Sequence, residues 1–113
     1  MAEDLNEGSD DRMMRPALAE AMLKDRRRIL LACLRDFNEP VTLPDLADEI
    51  AVRECGAALT QIPAERVKEI YLSLYHTDIP KLADAGLVQY DQETDLVAAA
   101  TDLDRIPGIP HDD

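Results

Sequence analysis

The stretch YHTDIPKLADAGLV, residues 75–88, carries a clear fold signal, because it holds the end of one predicted helix and the start of a predicted strand. Ile79 and Leu82 stand three residues apart, a spacing that brings both side chains to one face of a helix and anchors it to a core. Gly86 then supplies the left-handed conformation that commonly ends a helix. Leu87-Val88 is typical of a strand that follows directly.

Over the rest of the chain, apolar periodicity predicts a helical domain with a small hairpin. Pro80 lies inside the helical pattern and predicts a kink, because a proline removes one backbone hydrogen bond. The first predicted segment starts at Pro16 and has Leu18, Ala21 and Met22 at helical spacing. A helix from an N-capping Asp25 to Phe37 follows, then a strand at 41–43 and a helix from Pro44 to Cys55 that ends at Gly56. After a loop at 57–62, a helix runs from Pro63 to Ala85, and strands at 87–90 and 96–99 flank a turn at 91–95. The predicted fold class is mainly α with a small antiparallel β-hairpin.

The charge distribution divides the chain into a folded centre and two acidic ends. The 113 residues carry 24 acidic and 12 basic side chains, for a net charge of −12. Composition predicts an acidic disordered tail at 1–15, a domain at 16–100 and a flexible acidic tail at 101–113. The acids are mostly Asp and only three bases are Lys. This surface is typical of proteins from salt-accumulating archaea, because molar salt screens like-charge repulsion.

Several classes of protein are disfavoured by composition. Two cysteines, Cys33 and Cys55, are too few for a disulfide scaffold and indicate a reducing cytoplasm. The N-terminus has no signal-peptide pattern, and the longest apolar run, 29–34, is far shorter than a membrane span. His76 and His111 lie far apart, no His/Cys spacing suggests a metal site, and the four glycines are isolated. We therefore expect a cytoplasmic protein that is not an enzyme and needs no cofactor or metal.

Two segments resemble a known family. LKDRRRIL at 23–30 is similar to the first helix of small ArsR-like winged-helix repressors, and the stretch at 75–88 is similar to the end of their recognition helix. Together with SL at 73–74 and Tyr90-Asp91, these segments look like an uncharacterised winged-helix family abundant in halophilic archaea. The resemblance covers residues 17 to about 100. It implies a winged helix-turn-helix fold and a transcriptional regulator that binds double-stranded DNA as a homodimer.

The resemblance also implies which residues face DNA. The predicted helix near 64–85 would enter the major groove, with Ser73, His76 and Thr77 toward base edges and three consecutive arginines toward phosphates. The full set of candidate DNA-binding residues is Arg26, Arg27, Arg28, Arg66, Lys68, Ser73, His76, Thr77 and Lys81. For each there is a structural alternative. The arginines can pair with Glu20, Asp25 or other acids of the chain, and His76 can be an ordinary solvated helix residue.

A second function is compatible with the same fold. The predicted turn, Asp91-Gln92-Glu93-Thr94-Asp95, carries three acids and no base, whereas DNA binding draws on basic residues at the contact. A winged-helix module that binds protein and not DNA is therefore the alternative. For either function we expect a twofold dimer through the N-terminal helix, because six apolar residues precede the first core helix, namely Met13, Met14, Leu18, Ala21, Met22 and Leu23.

Overall fold

The computed structural model describes residues 24–110, and these form three helices followed by a small sheet. The third helix has three consecutive parts, and we refer to residues 64–84 as the long helix. The elements are α1 (Asp25–Phe37), β1 (Val41–Thr42), α2 (Leu43–Cys55), a 3₁₀ turn (Leu59–Gln61), α3 (Ala64–Ser73), a π turn (Leu74–Asp78), α4 (Ile79–Asp84), β2 (Val88–Asp91), β3 (Leu96–Ala99) and a second 3₁₀ turn (Leu103–Arg105). The predicted N-terminal tail and the pattern from Pro16 lie outside the described residues.

Helix α1 packs against the core on the face where apolar spacing predicts Ile29, Leu30, Cys33, Leu34 and Phe37. Leu30, Cys33 and Leu34 are buried, and Ile29 and Phe37 are partly buried. Leu31, which the prediction did not include, is also fully buried. The prediction that Asp25 is the N-cap is wrong, because Lys24 takes the extended conformation of the cap and Asp25 is already helical. The helix ends at Asn38, whose left-handed backbone lets its N–H donate to the Leu34 carbonyl at 3.0 Å.

Helix α2 begins and ends at residues suited to those positions. The Thr42 hydroxyl accepts a hydrogen bond from the Asp45 N–H at 3.4 Å, and a proline occupies the first turn. Gly56 has a φ of 62° and ends the helix with its N–H on the Val52 carbonyl. Apolar spacing predicts that Leu46, Ala47, Ile50 and Ala51 face inward, and all four are buried.

The long helix contains a π turn at Leu74–Asp78, directly before the proline for which the sequence predicted a kink. Pro80 has no N–H, and its ring crowds the carbonyl one turn back, so a wider turn accommodates it. Around this turn His76 and Thr77 are exposed, whereas Asp78 and Ile79 are buried.

The end of the long helix and the sheet follow the prediction. Gly86 has a φ of 78°, and the Leu87 N–H donates to the Leu82 carbonyl at 2.9 Å, which is the Schellman geometry. Strands β2 and β3 pair antiparallel, with Tyr90 opposite Val97. Strand β1 pairs with the other side of β3, which gives the order β1-β3-β2. Three helices and a three-stranded antiparallel sheet are consistent with a winged helix, and the predicted fold class is confirmed.

The chain stays packed against the domain beyond residue 100, where the sequence suggested that the domain ends. Leu103 and Ile109 are buried in the core. The Arg35 guanidinium of α1 donates to the Pro110 carbonyl at 2.6 Å and ties down the same segment. Two spaced apolar side chains and one hydrogen bond are enough to hold a segment that has no periodic pattern. No helix within residues 24–110 combines the length and the apolarity that a bilayer crossing requires.

Candidate functional site

The three consecutive arginines of α1 each pair with a carboxylate of this chain. Arg26 makes a two-pronged contact with Glu54 of α2, at 2.5 and 2.9 Å, and this hydrogen bonding raises the pKa of Arg26 above its ordinary value. Arg28 pairs with Asp25, one turn away. Arg27 turns inward to Asp78 in the π turn, with 3.0 Å between Nε and Oδ1. These contacts agree with the structural alternative that the sequence left open for the arginines.

Asp78 is the centre of a buried polar cluster that the sequence analysis did not identify. Its side chain is fully buried, and the side chain of Arg27 is only 7% exposed. The Ser73 hydroxyl donates to Asp78 Oδ2 at 2.7 Å, so Ser73 faces the cluster. Lys24 Nζ lies 3.8 Å from Oδ1. A signal was present in the sequence, because Asp78 lies four residues from both Leu74 and Leu82 on the apolar stripe of the long helix.

The exposed side of the π turn holds two of the predicted base-contacting residues. His76 and Thr77 are both exposed, and the His76 ring lies edge-on to Tyr75 with 5.0 Å between ring centroids. Lys68 and Lys81 are exposed before and after the turn. Arg66 is half-exposed, and its guanidinium is 4.0 Å from Glu54 and 3.9 Å from Glu69.

The hairpin loop (residues 92–95) is fixed to the long helix by side-chain contacts. The Gln92 amide donates to the Tyr75 hydroxyl at 2.8 Å. The Tyr90 hydroxyl donates to Asp95 Oδ1 at 2.5 Å, and this bond raises the pKa of Tyr90. Tyr75 and Tyr90 are half-buried and meet edge-to-face at 6.2 Å. The acids of the loop are thus held beside the long helix.

Two concave surfaces are present in the described part of the chain. An open groove of about 420 Å³, which we refer to as the α2–α3 groove, is lined mainly by apolar side chains, namely Pro44, Ala47, Leu59, Ile62, Ala64, Val67 and Tyr71, with Asp48 and Lys68 beside them. A more polar cavity of about 360 Å³ lies between the end of α1, β3 and the segment after it. Within residues 24–110 no group of three His, Cys, Asp or Glu side chains is placed to hold a metal ion.

Comparison with known proteins identifies the family of this domain and assigns it no function. The chain matches no curated protein and no solved structure. A family model described as a domain of unknown function, DUF7344, matches residues 19–98. The match runs through all three helices and to the last strand, and so includes the arginine run, the buried Asp78 cluster and the π turn. Because it covers more than half of the 113 residues, the chain belongs to the DUF7344 family.

Proposed function

We propose that this domain is a transcriptional regulator that binds double-stranded DNA through the exposed side of the π turn. The observation that carries the proposal is the pair His76 and Thr77, which the π turn presents side by side on the surface of a helix-turn-helix. π turns are rare, and many occur at functional sites. In a winged helix the third helix is the element that enters the major groove.

The chemistry of this surface suits base and phosphate contacts. The His76 ring donates a hydrogen bond toward guanine acceptors, and the Thr77 hydroxyl both donates and accepts. Lys68 and Lys81 supply positive charge on either side for phosphate contacts. Ser73 and Arg27 act differently in this proposal, since their contacts with Asp78 hold the π turn in place.

The test is a genomic DNA pull-down in molar potassium chloride, followed by sequencing of the retained fragments. The high salt is chosen because the acidic composition is typical of proteins that work at molar salt. We expect fragments that share a motif, and a loss of that enrichment for His76→Ala. Thr101→Ala, at an exposed polar position after β3 and outside both the long helix and the hairpin, is the matched control and keeps the enrichment. No shared motif from wild-type protein with native circular dichroism overturns the proposal.

A protein-binding module is the second candidate function, and the acidic hairpin favours it. Asp91, Glu93 and Asp95 stand on the element that in DNA-bound winged helices lies near phosphates, and no base accompanies them in residues 91–95. Basic residues on the contacting face supply most of the affinity of proteins for DNA. A folded wild-type protein that retains no DNA, while an Asp91→Asn/Glu93→Gln variant gains DNA binding, would support this second candidate.

A further inference from the structure

We propose that the α2–α3 groove binds residues 14–22 of a second copy of this chain, so that two copies exchange these segments in a twofold dimer. The dimer does not depend on DNA binding, and the segment of the second copy is the one occupant proposed for the groove. Each copy contributes one groove and one segment. The same contact therefore forms twice and the assembly closes at two copies.

The groove has the shape and the chemistry of a helix-binding site. It runs between the first turns of α2 and of α3, and the 3₁₀ turn forms one end of it. Its lining is mainly apolar, and Leu59 in that lining is 39% exposed. Large apolar side chains that stay exposed in a concave surface mark binding sites more often than isolated ones do.

The segment before Lys24 has the pattern that such grooves bind. Leu18, Ala21 and Met22 recur at i, i+3 and i+4, and Met14 extends the stripe by one turn. This is the spacing with which an amphipathic helix inserts its anchors into a groove. Pro16 suits the first turn of such a helix. The segment therefore offers an apolar stripe to a groove whose lining is mainly apolar.

Charge at one end of the contact also matches. Arg12 and Arg15 precede the apolar stripe. Asp48 borders the groove, and Asp45 lies one turn before it on α2. Neither carboxylate pairs with a cation among residues 24–110. Arg15 is nearer to the stripe than Asp10 and Asp11 are, so a segment inserted with this end toward the start of α2 brings Arg15 to these carboxylates.

Lys24 separates this segment from the domain to which it is joined. Its backbone is extended, with φ −91° and ψ 135°, so a helix before it cannot continue along the axis of α1. Residues 18–24 contain no Gly, Pro, Asn or Asp with which to reverse the chain. The start of α1 contacts Glu54 at the end of α2 and Asp78 in the π turn, whereas the groove lies at the start of α2. Only Leu23 and Lys24 join the stripe to α1, so the proposal assigns the segment to the groove of another copy.

The test measures oligomeric state by sedimentation equilibrium of the full chain in molar potassium chloride without DNA. Leu18→Asp tests the segment and Leu59→Asp tests the groove. We expect each to raise the dimer dissociation constant by about a hundredfold or more, because each buries a carboxylate in an apolar contact. Ala19→Asp is the control in the segment, since it adds the same charge on the side of the helix that faces away from Met14 and Ala21. Leu72→Asp is the control on the domain, since Leu72 is 42% exposed and lies outside the groove lining.

The same experiment checks that each variant is folded and that the two copies exchange their segments. Acids are favourable in the first turn of a helix, so neither Leu18→Asp nor Ala19→Asp should weaken the segment itself. Circular dichroism must show native helix content for every variant. Mixing Leu18→Asp with Leu59→Asp restores one intact contact of the two, and a heterodimer should form where each variant alone is monomeric.

The outcomes separate the possible occupants of the groove. Wild-type protein that is monomeric at all concentrations overturns the proposal, including the case in which the segment occupies the groove of its own chain. A dimer that Leu59→Asp leaves intact also overturns it and places the interface elsewhere. Loss of the dimer in both test variants, retention in both controls and recovery on mixing support it. Because no DNA is present, these outcomes leave the DNA-binding proposal to its own test.

Discussion

The buried ion pair between Arg27 and Asp78 is expected to hold a large share of the stability of this domain. Arg27→Met keeps most of the side-chain volume but leaves the Asp78 carboxylate buried at 0% exposure without its guanidinium partner. Breaking a buried pair in this way costs about 3–5 kcal/mol. Ser73 still donates to the carboxylate, and Lys24 lies 3.8 Å away, so we expect the lower end, about 3 kcal/mol.

This loss is large for a domain of this size. Proteins are stable by about 5–15 kcal/mol, so Arg27→Met removes a fifth or more of the total. The free energy of unfolding is measured by urea titration in molar potassium chloride, followed by far-ultraviolet circular dichroism. A melting temperature lower by about 12 °C or more is the corresponding thermal result.

A control variant and a double variant test whether the lost stability comes from an unpaired buried charge. Arg28→Met breaks a pair whose acid, Asp25, is largely exposed, so it should cost at most about 1 kcal/mol. Replacing both buried partners, as Arg27→Met with Asp78→Leu, should restore most of the lost stability, because no charge is then buried alone. The reasoning is refuted if Arg27→Met costs no more than Arg28→Met, or if the double variant is less stable than both single variants.

Three further predictions concern the helix end, the hairpin and the thiols. Gly86→Ala should lower the free energy of unfolding in urea by about 1–2 kcal/mol, because a φ of 78° strains any residue with a Cβ although no atom lies within 4 Å of one. The hydrogen bond to Asp95 raises the pKa of Tyr90 above its ordinary value of 10.0. The stabilisation that this bond gives the folded state is therefore complete below pH 10.0 and is lost as the pH rises further. Urea titrations above pH 10 should therefore show a steeper loss of stability in wild type than in Tyr90→Phe, and equal slopes would contradict the assignment. A thiol reagent should modify the exposed Cys55 in the native protein and the buried Cys33 only after unfolding, and two equally fast thiols would contradict the burial of Cys33.

Much of the fold could be predicted from local pattern. The ends of α2 and of the long helix were identified because Gly56 and Gly86 are suited to left-handed backbone, and both adopt it. The buried faces of α1 and α2 followed from apolar spacing. Asp25 was misassigned as a cap, because an acid in the first turn and an acid at the cap have the same local signature. The DNA-binding residues stay a prediction, since fold and exposure do not test what they contact.

Local sequence is sufficient to predict the order of the helices and strands, most of the residues that end them and most of the side chains that they bury, because these depend on neighbours within about one turn or one pleat. Which acid each arginine contacts depends on tertiary packing. Arg27 and Asp78 are 51 residues apart, and no local pattern selects that acid among the others of the chain. The α2–α3 groove likewise exists only once two helices and a 3₁₀ turn are packed together. Periodicity specifies a face, but the partner of that face depends on how the whole chain fills its core.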